Sequence, residues 1–257
     1  YKDVTKVDKK SIPFADVPID KASTYSCEDA DITLKLYSFF LERLKKYNLL
    51  ENFLDYEIPF IKVLADIEFV GVNINVKRLA KLSKEFHKII TDIQARIYKL
   101  IEKEINLNSP MQLREVLFNE LGLKPNKKTK TGEFSTDSQT LQGIVDQHDV
   151  VELILLYRFY SKLQTTYIDA LPDLIDEGTK RIHTSYNHVG TSTGRLSSSS
   201  PNLQNIPIKT SEGKRIRDSF TSANKSKLIM SADYSQIELR LLAHFSLDPL
   251  MVESFNA

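Results

Sequence analysis

The stretch KLIMSADYSQIELRLLAHFS, residues 227–246, decides how this chain is read. Leu228, Ile229, Met230, Ser231 and Ala232 form an apolar run of strand length, expected to be buried on both faces. Asp233 follows at once. An ionised carboxylate against a core is costly unless it is paired or binds a metal, so Asp233 requires a partner. Next comes SQIE, Ser235 to Glu238, which matches a capping box for a helix whose buried face is Ile237, Leu241 and Phe245.

Composition limits the kind of partner. The chain has 257 residues, 41% hydrophobic and 27% charged, enough for one large or two modest domains. Its 35 basic and 34 acidic residues leave a net charge of +1, so any basic surface must be local. Cys27 is the single cysteine and cannot form an internal disulfide, which fits a reducing, cytosol-like compartment. No apolar stretch approaches the roughly 18 residues of a membrane span. The chain starts YKDVTKVDKK without a methionine and stops at DPLMVESFNA, where Asp248 as N-cap and Pro249 at the first helical position announce a helix. A piece of a longer polypeptide is expected.

Thr24 to Leu50 has the spacing of an amphipathic helix and puts Tyr25 and Asp29 four residues apart on one face. Those two residues read either as a solvated helix start or as a functional pair. The period changes around Gly71, predicting a turn that feeds a new helix capped by Asn75. Leu79, Leu82, Phe86, Ile89, Ile93, Ile97 and Leu100 make a seam along that helix, and Leu153, Leu156, Tyr160, Leu163 and Tyr167 repeat the spacing later. Two antiparallel helices carrying a small tip are the simplest arrangement.

The tip contains a short helix capped by Asn108 or Ser109 with Pro110 at its start, then Lys124, Lys127, Lys128 and Lys130, then a second cap at Ser135-Thr136-Asp137. Capped helices beside lysines suit phosphate contacts, and a solvated lysine loop is the alternative. Arg158 and Lys162, one turn apart, offer a second phosphate rail. From Lys180 to Arg217 seven basic residues (Lys180, Arg181, Arg195, Lys209, Lys214, Arg215, Arg217) face one acid, Glu212, in a segment rich in Ser, Thr, Asn and Gln. An arginine and amides can read minor-groove acceptors common to all base pairs.

TSTGRLSSSSPNLQNIP followed by SADYSQIELRLLAHFS closely resembles the start of the palm in family A DNA polymerases, the bacterial DNA polymerase I type, and the second stretch resembles its motif A. The similarity runs upstream through RIHTSYNHVGTSTGR, YRFYSKLQTTYIDALP and LNSPMQLREVLFNELGLKP to YSCEDAD. The resemblance implies an α+β, predominantly helical fold: long antiparallel thumb helices with a small tip, and the first part of an antiparallel palm sheet. It divides the chain into the end of a 3′-to-5′ exonuclease-like domain (1–48), a thumb (49–178) and the start of a palm (179–257).

Asp233 matches the aspartate that binds both catalytic magnesium ions, and the main-chain carbonyl of Tyr234 is expected to complete one coordination shell. Glu238 matches the residue that excludes a 2′-hydroxyl on the incoming nucleotide. Arg195, Asn202 and Gln204 match minor-groove readers near the primer terminus. Arg158, Lys162, Lys209, Lys127 and Lys128 are expected to contact DNA. Tyr25 and Asp29 match the third motif of the proofreading exonuclease, which favours the functional reading of that pair. The implied partners are primer-template DNA and deoxynucleoside triphosphates, with no membrane, in a monomer of the bacterial cytoplasm or an organellar matrix.

The chain departs from the family pattern where the second catalytic carboxylate, the fingers helix and the first two exonuclease motifs have no counterpart. His188 stands where a glutamine is frequent. The isolated chain is therefore expected to bind DNA at most, without polymerase activity and with weak or no magnesium binding. A non-catalytic DNA-binding module and an exonuclease remnant are the alternative functions.

Overall fold

A computed structural model of the chain describes residues 1–7, 10–125, 132–222, 224 and 226–256. It is mostly helical with small antiparallel sheets, and it divides into two compact units, Tyr1–Phe69 and Val70–Ala257.

In the first unit, α1 (Ile19–Lys46) starts five residues before the predicted helix, directly after Pro18. Proline cannot donate to the preceding turn, so it marks the start. Arg43, Lys45 and Lys46 occupy the last turn, where cations favour the negative end of the helix dipole. No residue of α1 is buried. A π-helical turn, Phe53–Glu57, leads into α2 (Ile58–Val70).

The second unit opens at Gly71, whose φ of +61° suits glycine; a Cβ there would lie 2.7 Å from the carbonyl oxygen of Ile182. Strand β1 (Asn73–Ile74) follows, and then α3 (Val76–Ile101), capped by Asn75 Oδ1 accepting from the Arg78 amide at 3.0 Å. At 1.5 Å per residue α3 extends about 39 Å. The tip holds α4 (Pro110–Arg114), continued by a π-helical turn over Glu115–Glu120, and α5 (Ser138–Gln142). Their caps are the predicted ones: Ser109 accepts from the Gln112 amide and Asp137 from that of Thr140. The return helix α6 (Asp149–Leu163) runs on as a π-helical turn, Gln164–Ile168, before α7 (Ala170–Asp173).

Two apolar clusters show that α3 and α6 are antiparallel. Ile93 and Ile97, late in α3, pack with Val150, Val151 and Ile154, early in α6, together with Leu113, Leu117 and Leu141 of the tip. Leu79, Leu82 and Phe86, early in α3, pack instead with Leu163, Ile168 and Leu171, and with Ile182 and Ile216. The helical hairpin thus has one core at its tip and one at its base.

Beyond the base lie β2 (Ser185–Asn187), β3 (Ser197–Ser199), α8 (Ser211–Arg217), β4 (Phe220–Thr221), α9 (Ile237–Ser246) and α10 (Pro249–Asn256). β2 pairs antiparallel with β3, and β1 with β4, Ile74 opposite Phe220. Val72, just before β1, forms a separate antiparallel bridge to Ile182. Asp248 caps α10, accepting from the Met251 amide at 2.9 Å.

The expected buried strand at 228–232 does not form. Leu228, Ile229 and Met230 are 93%, 62% and 87% exposed and pair with no strand among the described residues. A strand needs a neighbour to satisfy its backbone, and an apolar run cannot supply one. The expected capping box is also absent: Gln236, at φ 54°, precedes the first helical residue, and no side chain caps α9.

Candidate functional site

The hairpin β2–β3 and the loop after it form the scaffold of the basic segment. Gly190 lets the hairpin close, since a Cβ there would come within 2.8 Å of Ser197 Oγ. Thr191 Oγ1 donates to the carbonyl of Arg195 at 2.7 Å and fixes the residue that bears the guanidinium. Downstream, Ser198 is buried and its hydroxyl donates to Asn202 Oδ1 at 3.1 Å. The same Oδ1 accepts from the amides of Gln204 at 3.1 Å and Asn205 at 3.2 Å. Asn202 therefore organises the loop with its oxygen, and only its NH2 remains for a ligand. Gln204 and Lys209 are exposed on this loop, and Tyr167 anchors it by donating to the Asn205 carbonyl at 2.7 Å.

Asp233 and Tyr234 are exposed in the irregular segment ahead of α9. Glu238 lies in the first turn of that helix. The structure brings two of the expected site residues together: Arg195 Nη2 donates to Glu238 Oε1 at 3.3 Å across 43 positions of sequence. The carboxylate of Asp233 and the carbonyl of Tyr234 are hard oxygen donors, the chemistry magnesium prefers. Among the described residues no three His, Cys, Asp or Glu side chains come together as a metal site, so these two donors fit part of a magnesium shell only.

Arg158 is half-buried, and its guanidinium donates to the carbonyl of Thr136 in the tip. Burial lowers its pKa from the ordinary value, while Asp137 pulls the other way. Lys162, one turn on, is exposed. Lys127 and Lys128 lie outside the described residues. In the first unit Tyr25 and Asp29 are hydrogen-bonded; that bond raises the phenol pKa first, with desolvation and the Asp29 charge adding to it.

Of the seven cations in 180–217, Arg195 and Arg215 pair with carboxylates, while Arg181 and Arg217 are anchored to uncharged carbonyls and keep their charge. Arg181 donates to the Val70 carbonyl at 2.6 Å, and Arg217 donates to the carbonyls of Ile206 at 2.7 Å and Pro207 at 3.2 Å. Arg215 pairs with Glu85 of α3 and holds that carboxyl below its ordinary pKa. Lys180, Lys209 and Lys214 stay exposed.

A cluster at the hairpin base had no sequence signal. Tyr160 donates to Glu212 at 3.1 Å, and its pKa is raised by burial and then by the Glu212 charge. Burial pushes Glu212 up, but its own backbone amide, Ser211, Tyr160 and Arg215 outweigh this and leave it lowered. Arg78 pairs with Asp218 at 2.9 Å. These partners are 52 to 140 positions apart, beyond any local pattern.

A sequence model of DNA polymerase family A matches residues 76–257, which include the α3–α6 hairpin, the basic loop and Asp233. The chain belongs to DNA polymerase family A. Among its relatives, the DNA polymerase I of Rhizobium leguminosarum is 43% identical over 257 residues, all of this chain and 25% of that protein. That of Treponema pallidum is 44% identical over 247 residues, 96% of this chain and 24% of that protein. The chain thus spans about a quarter of the length of these family A relatives. A solved structure of the POL domain of Pol1 from M. smegmatis, in complex with DNA primer-template and dNTP, superposes with a TM-score of 0.77 at 38% identity. The match covers 86% of this chain and 39% of that one.

Proposed function

We propose that this chain is the middle of a DNA-dependent DNA polymerase: the end of an exonuclease-like domain (1–48), the thumb (49–178) and the start of the palm (179–257). The observation that carries this reading is the meeting of Arg195 and Glu238, five positions after Asp233 in sequence, in a region matched by the family A model. The solved relative holds primer-template and dNTP, and a primer terminus with an incoming nucleotide is the ligand proposed here.

In that reading Asp233 and the Tyr234 carbonyl hold magnesium together with a second carboxylate supplied from outside these residues. Bound magnesium would lower the pKa of the primer 3′-hydroxyl and neutralise the departing pyrophosphate. Glu238 walls off the sugar so that a 2′-hydroxyl is excluded. Arg195, Gln204 and the amide of Asn202 donate to minor-groove acceptors, which every base pair presents. Lys162 and Lys209 face phosphates, while Arg158 acts one step back by tying the tip to α6. The proposed protein is a monomer of the bacterial cytoplasm or an organellar matrix; among the described residues no helix is long and apolar enough to cross a membrane.

The bonded pair Tyr25 and Asp29 supports a second reading for the first unit, a proofreading remnant in which the tyrosine orients water. The two readings separate on primer-template with magnesium and all four deoxynucleotides. The chain alone is expected to bind the duplex but neither extend nor shorten the primer. Robust extension would contradict the proposal, and 3′ shortening would favour an active nuclease.

A further inference from the structure

We infer that Arg195 is a positioning residue for sugar selection, coupling the fit of the primer-terminal base pair to the posture of Glu238; this rests on the proposed sugar-gate role of Glu238. The carboxylate sits on the second residue of α9, and no side-chain cap holds that end of the helix. Its hydrogen-bond partner is the guanidinium of Arg195, on a hairpin loop held by Thr191 and the β2–β3 pairing. A guanidinium has five N–H donors and one Nη2 donor serves Glu238, so others remain for a minor-groove acceptor.

The pair is exposed here, 78% and 74%, and an exposed ion pair is weak. Inside a cleft filled by DNA and nucleotide the same contact is desolvated and orients the carboxylate. A correctly paired terminus presents its acceptors at fixed places and keeps Arg195 where Glu238 needs it. A mismatch shifts those acceptors, draws the guanidinium away and leaves Glu238 without its partner. The gate then loosens after an error.

The test is single-turnover incorporation of a deoxynucleotide and the matching ribonucleotide by the complete polymerase, on primers with matched and mismatched termini. The native enzyme should lose at least fivefold in deoxy-over-ribo preference on a mismatched terminus. Arg195→Ala should show that lowered preference on both termini, Arg195→Lys should recover part of it, and Glu238→Ala should lose it throughout. If Glu238→Ala loses the preference while Arg195→Ala keeps it with native dependence on the terminus, the coupling is wrong and the sugar gate stands. If Glu238→Ala keeps the preference, the sugar-gate reading itself fails. Thermal unfolding of each variant, expected near native because both side chains are exposed, separates these outcomes from misfolding.

Discussion

At the scale of single residues, the arginines divide into those that build and those that face outward. Arg158 was legible as a cation on α6, but its contact with the Thr136 carbonyl closes across 22 positions and could not be read from spacing. Replacing it with alanine strands a backbone acceptor, and Arg158→Ala should destabilise the chain by about 1–2 kcal/mol in urea titration. Lys162→Ala removes an exposed ammonium and should stay within about 0.5 kcal/mol of native, while lowering the salt slope of duplex binding by about one unit. Asp233 behaves like Lys162 in stability: it is exposed, and Asp233→Ala should leave the unfolding midpoint unchanged. Because the run before Asp233 is exposed, no buried charge demands a partner there, and a ligand role for Asp233 rests on the family match.

Elements show where local rules suffice. Asn75, Ser109, Asp137 and Asp248 all cap where their sequence position indicated, because an N-cap is decided within four residues. Most of the seam of α3 was legible for the same reason, Leu100 at its end being exposed, and its centre is Phe86, fully buried between the hairpin base and Tyr160. Phe86→Ala should cost about 3–5 kcal/mol of unfolding free energy. The apolar run before Asp233 follows the opposite rule: its conformation depends on a neighbouring strand, and composition says nothing about where that neighbour comes from. SQIE misled because Gln236 takes a left-handed turn, after which Glu238 meets Arg195 rather than a backbone amide.

The α3–α8 contact adds a pH dependence. Arg215 depresses the Glu85 carboxyl, so this pairing stabilises fully above the ordinary carboxyl pKa and is lost as pH falls through the lowered one. Glu85→Gln should remove that part of the acid-side loss of stability below about pH 4.5, measured as unfolding midpoint against pH. An unchanged acid limb would show that the pair contributes nothing in solution.

For the whole molecule, net charge and composition gave no direction, and the surplus of cations in 180–217 lies in a segment within the family A match, where ion pairs offset part of the charge. Arg181 and Arg217 hold backbone carbonyls and Arg215 and Arg195 hold carboxylates. Binding of the chain to duplex DNA should therefore fall with salt, but with a slope reporting only a few phosphates, and should vary little between sequences. A slope near zero would argue against the proposed backbone contacts.

Asp233 is proposed as one carboxylate of a two-carboxylate catalytic site. The direct measurement is the single-turnover rate of nucleotide incorporation by the complete polymerase carrying Asp233→Ala, at saturating DNA, nucleotide and magnesium. A loss of at least about a thousandfold is expected, roughly 4 kcal/mol of transition-state stabilisation, with duplex affinity retained. Incorporation at the native rate would contradict it and leave the chain a DNA-binding module.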